Sequence, residues 1–283
     1  MVKVMRQEQS EWTLTMICSA LNVPRSSFYY RSEKRDETLV RDVILKTAGE
    51  WPRYGSLRIY HQMKREQVSF YNHLVGERRV RRIMHEMGIA AKAYPRKIRT
   101  TNSNHDFARY PNLLEGLSIT HPNQAWVSDI TYIAMMQGFA YLAVIMDVHT
   151  RSIRGWALSR HLDAALTISA LEMAFTNGIP NIHHSDQGVQ YTSNAYVERL
   201  MKHGVTISMA SAGCPEENGY AERLMRTIKE EHVSLTEYEN FADAKRRIAH
   251  FIEDVYQFKR IHSSLGFLTP SEFEAQCPKD NIN

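Results

Sequence analysis

The sequence predicts an α/β fold: a mixed five-stranded sheet with flanking helices, preceded by small all-α helix-turn-helix modules. Three observations carry that reading. Short amphipathic helical segments fill the first third of the chain, and from residue 124 the texture changes to β-branched and aromatic runs parted by tight turns. Beyond those runs, helical and strand segments alternate.

The first helix is expected over residues 12–21, where Leu14, Ile17 and Leu21 recur at helical spacing. Asn22-Val23-Pro24 breaks it, and Ser26 starts a second helix carrying Phe28, Tyr29 and Tyr30. Helix, tight turn, helix is the outline of a helix-turn-helix, assigned to residues 1–32. A second basic helical module, 33–95, holds helices over 37–48, 56–66 and 76–88. In the last of these, Val80, Ile83, Met84 and Met87 make one buried stripe. Arg78, Arg79, Arg81 and Arg82 crowd the rest of that helix and repel one another unless solvent or phosphates lie opposite. They, with Arg58 in the preceding helix, are the candidate DNA-binding side chains, a solvated helix being the plain alternative. A linker follows at 96–120, its first part polar, basic and without periodicity.

The core is placed at 121–235. Strands are expected at 125–134, 139–148 and 152–159, antiparallel because the links are short. A helix over 163–177, a strand from Ile179 to His184, a helix over 193–203, a strand at 204–209 and a helix over 217–233 complete it. A C-terminal helical extension, 236–283, opens with an amphipathic helix at 241–256 that buries Ala244, Ile248, Phe251, Ile252 and Val255.

Composition narrows the function. The chain is 43% hydrophobic and 23% charged, and no apolar run approaches the ~20 residues that span a bilayer. The first residues do not read as a signal peptide, so the cytoplasm is the default location, with the nucleoid as the place for a DNA-binding chain. Cys18, Cys214 and Cys277 stand far apart, which argues against a zinc cluster or a disulfide framework. Residues 1–110 carry 21 Lys/Arg against 11 Asp/Glu, and the remainder 14 against 20. A basic grip joined to a module rich in carboxylates fits a protein that handles nucleic acid.

Asp129 lies in the middle of a strand, where an acid works against β propensity and is costly if buried. Asp186 ends a strand just before Gln187-Gly188, and Glu222 sits on a helix with Arg226 and Lys229. Converging, the three acids supply the oxygen ligands that Mg²⁺ or Mn²⁺ prefers, and two such ions promote phosphodiester cleavage. Position alone does not single them out among 31 acids.

Between Asp186 and Glu222 lie 35 residues, flanked by HHSDQGVQYTS and GCPEENGYAERLMRTIKEE. This spacing resembles the D…D-35-E signature of retroviral integrases and bacterial insertion-sequence transposases, specifically the second open reading frame product of the IS3 family. WVSDITYI resembles the strand of the first aspartate, YQFKRIHSSLGFLTPSEFEA (256–275) the family tail, and YGSLRIY with ERRVRRIMHEMGI the upstream helical module. The resemblance implies an RNase H-like core with Asp129, Asp186 and Glu222 as catalytic residues and ligands of two Mg²⁺ ions, Mn²⁺ substituting. It implies a DNA transposase that cleaves element ends and transfers 3′ ends, its N-terminal modules binding the terminal inverted repeats. Lys229, on almost the same helix face as Glu222, is placed near the scissile phosphate with Arg226 pointing the same way, a surface charge offsetting Glu222 and Glu230 being the plain alternative for both. Gln190 and Tyr191, in the loop after Asp186, are candidates to touch DNA, with simple loop packing as the equal alternative. A homo-oligomer, at least a dimer on DNA, is implied, as is fusion to or association with an upstream-frame DNA-binding protein. Many family members carry Asp-Asn where this chain has Glu217-Asn218, so neither Glu216 nor Glu217 stands in for a catalytic acid. His183 and His184 read as core or rim groups. A pure DNA-binding protein and a nuclease that hydrolyses without joining are the competing readings; the three acids discriminate against the first.

Overall fold

The computed structural model describes residues 12–29, 36–70, 73–91, 109–211 and 213–278. Tyr30 and the stretch 96–108 of the expected linker lie outside them. The chain forms two compact units, Met1–Asp42 and Val43–Asn283.

In the first unit, α1 (Leu14–Ala20) begins at Thr13, whose side chain accepts the Met16 N–H at 3.3 Å. It buries Leu14, Ile17 and Cys18 and is followed by α2 (Arg25–Tyr29) and the start of α3 (Thr38–Glu50).

The second unit starts with the rest of α3, then α4 (Ser56–Arg65), a small hairpin of β1 (Ser69–Phe70) and β2 (His73–Leu74), and α5 (Glu77–Glu86). Val80, Ile83 and Met84 form the buried stripe expected of α5. These helices are tied to the C-terminal segment. The Tyr54 hydroxyl accepts the Ile261 N–H at 3.2 Å, and Arg65 makes a two-pronged pair with Glu272 at 2.8 and 2.5 Å. Both contacts lie inside the second compact unit.

The sheet has the order β5-β4-β3-β6-β7. β3 (Ala125–Ala134), β4 (Phe139–Asp147) and β5 (Ile153–Ser159) form an antiparallel meander, while β6 (Ile182–Ser185) runs parallel to β3 and β7 (Thr206–Met209) parallel to β6. This is the RNase H-like arrangement. Pleating sends alternate side chains of β3 to opposite faces. Ala125 and Val127 join Leu142 and Val144 under α9 (Gly219–Glu231) and α10 (Phe241–His250). Trp126 joins Ala143 and Ile145 under α6 (Ala164–Phe175) and α8 (Asn194–Lys202). Helix α6 starts at Asp163, which accepts the Leu166 N–H at 3.2 Å, and it lies so close to β5 that a Cβ on Gly155 would stand 2.6 Å from the Ala174 nitrogen.

Three elements differ from expectation. A four-residue helix, α7 (Val189–Thr192), replaces the loop after Asp186. The helix expected over 241–256 changes pitch after His250 and continues as a π-helix, Phe251–Tyr256. A last helix, α11 (Pro270–Ala275), is set by a capping box between Thr269 and Glu272. No helix among the described residues is long and apolar enough to cross a membrane.

Candidate active site

Parallel pairing places the first two acids side by side. Ala125, Trp126 and Val127 of β3 face Ile182, His183 and His184 of β6. Continuing that register brings Asp129 level with Asp186, one residue past the end of β6. Asp129 shares its sheet face with Ala125 and Val127, the face that α9 covers. Helix α9 is pinned there at its start: the buried Asn218 donates its side-chain N–H to the Ser128 carbonyl at 3.2 Å. Glu222, one turn further on, is exposed.

The carboxylates sense one another. Burial pushes the Asp129 carboxyl up to about 7, helped by the charges of Asp186 and Glu222 and opposed by the Ile130 N–H and Lys229. Its Oδ1 accepts that N–H at 2.7 Å, and Asp186 Oδ1 accepts the Gly188 N–H at 3.0 Å. Gly188 leaves room for the acid, since a Cβ there would lie 3.0 Å from Asp186 Oδ1. Among the described residues, no three His, Cys, Asp or Glu side chains are drawn together as a ready-made metal cage. The donor set nonetheless fits a hard divalent cation. All three groups are carboxylates, and their mutual repulsion is what an intervening cation relieves.

The other sequence candidates fall in different places. Lys229 is half-buried within the field of Asp129, and Arg226 is exposed. Gln190 donates to the Leu162 carbonyl at 3.3 Å. Tyr191, a candidate either to touch DNA or to pack in its loop, is only 3% exposed, its ring packed with His183 and Tyr196 by α7. That position keeps it beneath the surface. Arg78 is exposed; Arg79 lies over the Phe70 ring at 4.3 Å; Arg81 pairs with Glu77; Arg82 pairs with Glu86 at 2.6 Å. Arg58 turns inward, 3.5 Å from Glu231.

His183 and His184 are fully buried, as their strand positions implied. His183 Nε2 meets the Tyr196 hydroxyl at 2.9 Å and His184 Nδ1 the Ser208 hydroxyl at 2.8 Å. Burial, with the neighbouring His184, pushes His183 down to about 3, and burial pushes His184 down to about 4. Glu217 accepts the Ser211 N–H at 2.7 Å and the Asn112 amide at 3.0 Å, and these bonds hold its carboxyl below the ordinary range. It fastens the loop before α9 and keeps clear of the acids. Sequence reasoning missed the role of Asn218, whose only signal was an amide immediately before a helix.

Comparison with known proteins identifies the domains of the chain. Residues 119–215 match the integrase core domain family, a second integrase core domain family matches residues 203–270, and an HTH-like domain family matches 33–97. The chain is 34% identical to the transposase for insertion sequence element IS904 of Lactococcus lactis subsp. lactis (strain IL1403), across 78% of this chain and 87% of that protein. It is 28% identical to the transposase InsF for insertion sequence IS3A of Escherichia coli (strain K12), across 95% and 96% of the two. Among solved structures, the intasome of simian T-cell lymphotropic virus with a PP2A regulatory subunit aligns at 16% identity and a TM-score of 0.49, covering 74% of this chain and 70% of that one.

Proposed function

Since this chain belongs to the IS3 family of insertion-sequence transposases, and is thereby a DNA transposase with an N-terminal DNA-binding region, we propose that Asp129, Asp186 and Glu222 form its catalytic centre. The observation that supports this best is geometric: the parallel register of β3 and β6 brings Asp129 level with Asp186, and burial, with the charges of Asp186 and Glu222 behind it, pushes the half-buried Asp129 carboxyl up to about 7.

In this reading the three carboxylates hold divalent cations, two Mg²⁺ per site with Mn²⁺ able to substitute. When bound, the ions activate a water or a 3′-hydroxyl and stabilise the departing oxygen of an in-line displacement. The chain contributes the positioning. Asp129 releases its proton to become a ligand, and Asp186 is oriented by the Gly188 N–H. Asn218 fixes the start of α9 on β3, so Glu222 reaches the pair from the covered face. Lys229 places positive charge beside Asp129, where a scissile phosphate needs it.

Binding of the terminal inverted repeats falls to the N-terminal helices, with the exposed Arg78, Arg81 and Arg82 of α5 and Arg79 beside them. Bringing two element ends together calls for at least a dimer on DNA. The test is incubation with labelled element-end DNA, a target plasmid and Mn²⁺. The wild-type protein yields joined products, and Asp186→Asn binds the ends normally and yields none. Undiminished joining by that variant rejects the assignment.

A further inference from the structure

A cavity of about 680 Å³ lies against the side of α9 turned away from Glu222, and four arginines line it: Arg58, Arg151, Arg223 and Arg260. They come from α4, the β4–β5 turn, α9 and the segment after the π-helix. Their charges act on one another. Arg58 is pushed below its usual range by burial and by Arg260, with Arg223 adding to it and Glu231 opposing. His262, buried among them, is pushed down to about 2 by burial and then by Arg260, Arg58 and Arg151.

Glu115, Glu216 and Glu217 also line the cavity, but the carboxylate that pairs with these arginines is Glu231. Glu231 takes Arg260 in two bonds of 2.6 Å and lies 3.5 Å from Arg58. Among the described residues, Arg151 and Arg223 have no carboxylate partner. Arg151 lies over the ring of Tyr220, which is 44% exposed, with its guanidinium carbon 4.6 Å from the ring centroid. Glu217, also on the wall, is already taken by Ser211 and Asn112.

We propose that this cavity takes one nucleotide from a single-stranded stretch of the DNA substrate, its phosphate at Arg151 and Arg223 and its base against Tyr220. The inference rests on the reading of Glu222 as part of the cutting site and extends it to where the freed strand goes. Cavities of this size suit a nucleotide, whereas a duplex is too wide to enter. Two arginines without carboxylate partners supply the phosphate contacts, and an exposed aromatic ring supplies the stacking platform that single-stranded DNA uses. At about 100° per residue, Glu222, Arg226 and Lys229 fall on one side of α9 and Tyr220, Leu224 and Thr227 on the other. A strand leaving the cutting face therefore rounds the start of the helix, at Gly219, which itself lines the cavity.

The experiment is photo-cross-linking of the full chain to element-end DNA with a 3′ single-stranded tail containing 5-iodouracil, followed by peptide mapping. The expected cross-link maps to Tyr220, is absent with blunt duplex and survives millimolar inorganic phosphate. In the variant Arg151→Gln/Arg223→Gln that cross-link is lost, and the log–log salt slope of tail binding falls by about 1.4, roughly 0.7 for each phosphate contact removed. Arg223→Gln alone, at an exposed position, gives a smaller fall of the same kind and covers the case in which the double variant does not fold. Cross-links that map elsewhere, an unchanged slope in both variants, or displacement by phosphate alone overturn the proposal. Absence of the Tyr220 cross-link in wild-type protein that cleaves ends overturns the cavity and leaves the catalytic reading intact. A Tyr220 cross-link in a protein that cleaves with no divalent cation supports the cavity and overturns that reading.

Discussion

Replacing Asp129 by Asn should make the metal-free protein more stable, an unusual outcome for a residue assigned to catalysis. The Asp129 carboxyl is pushed from 3.8 to about 7, by burial first and then by Asp186 and Glu222. A raised folded-state value means that the folded chain holds its proton more tightly than the unfolded one. The cost of ionising Asp129 is absent below the unfolded value, grows as pH rises and is complete above about 7. Some three units at about 1.4 kcal/mol each amount to roughly 4 kcal/mol at pH 8 and about 1.6 kcal/mol at pH 5. Asparagine is close in shape and carries no charge, so it removes that cost. Urea unfolding in EDTA at both pH values measures it. Asp129→Asn should gain several kcal/mol at pH 8 and visibly less at pH 5. A variant no more stable than wild type at pH 8, or a gain independent of pH, refutes the claim that like charges crowd this carboxyl.

Three buried histidines bring an opposite trend. His183, His184 and His262 are pushed down to about 3, 4 and 2, so they stay neutral in the fold while the unfolded chain takes up protons below about 6.5. Stability therefore falls as pH drops from 6.5 towards 4, by about 2 kcal/mol per histidine at pH 5. The Asp129→Asn background, which lacks the compensating carboxyl, should show this decline in full by urea unfolding at pH 7 and 5. At the end of α9, Glu231→Gln leaves Arg260, 3% exposed, buried without its counter-charge. A loss of about 3–5 kcal/mol in unfolding free energy is expected, and a loss under about 1 kcal/mol shows that water reaches the pair.

What could be read from the sequence follows the range of the forces involved. Strands β3 to β5 were legible because pleat alternation, short turns and β-branched residues are local signals, and β3 matches its expected span of 125–134. The helix at 189–192 was not, since four residues carry no helical period, and with it went the burial of Tyr191. The arginines show the same limit. Glu77 and Glu86 stand four residues from Arg81 and Arg82, so those pairings are written in the spacing. Arg58 meets Glu231 only once α4 and α9 have folded into one unit, and no local pattern announces that. Likewise Asp129 and Asp186 come level through the parallel register of β3 and β6, a long-range pairing; the resemblance named these acids before the sheet could explain them.

The claim that three carboxylates share one set of cations is tested most directly by replacing Mg²⁺ with Fe²⁺ in the complex with element-end DNA and adding hydrogen peroxide with ascorbate. Local radical chemistry then cuts the polypeptide wherever the metal sits. Cleavage beside Asp129, Asp186 and Glu222 together, lost at all three places in Asp186→Asn, is the expected pattern. Cuts confined to other segments, or cuts beside these residues that persist unchanged in the variant, contradict the account.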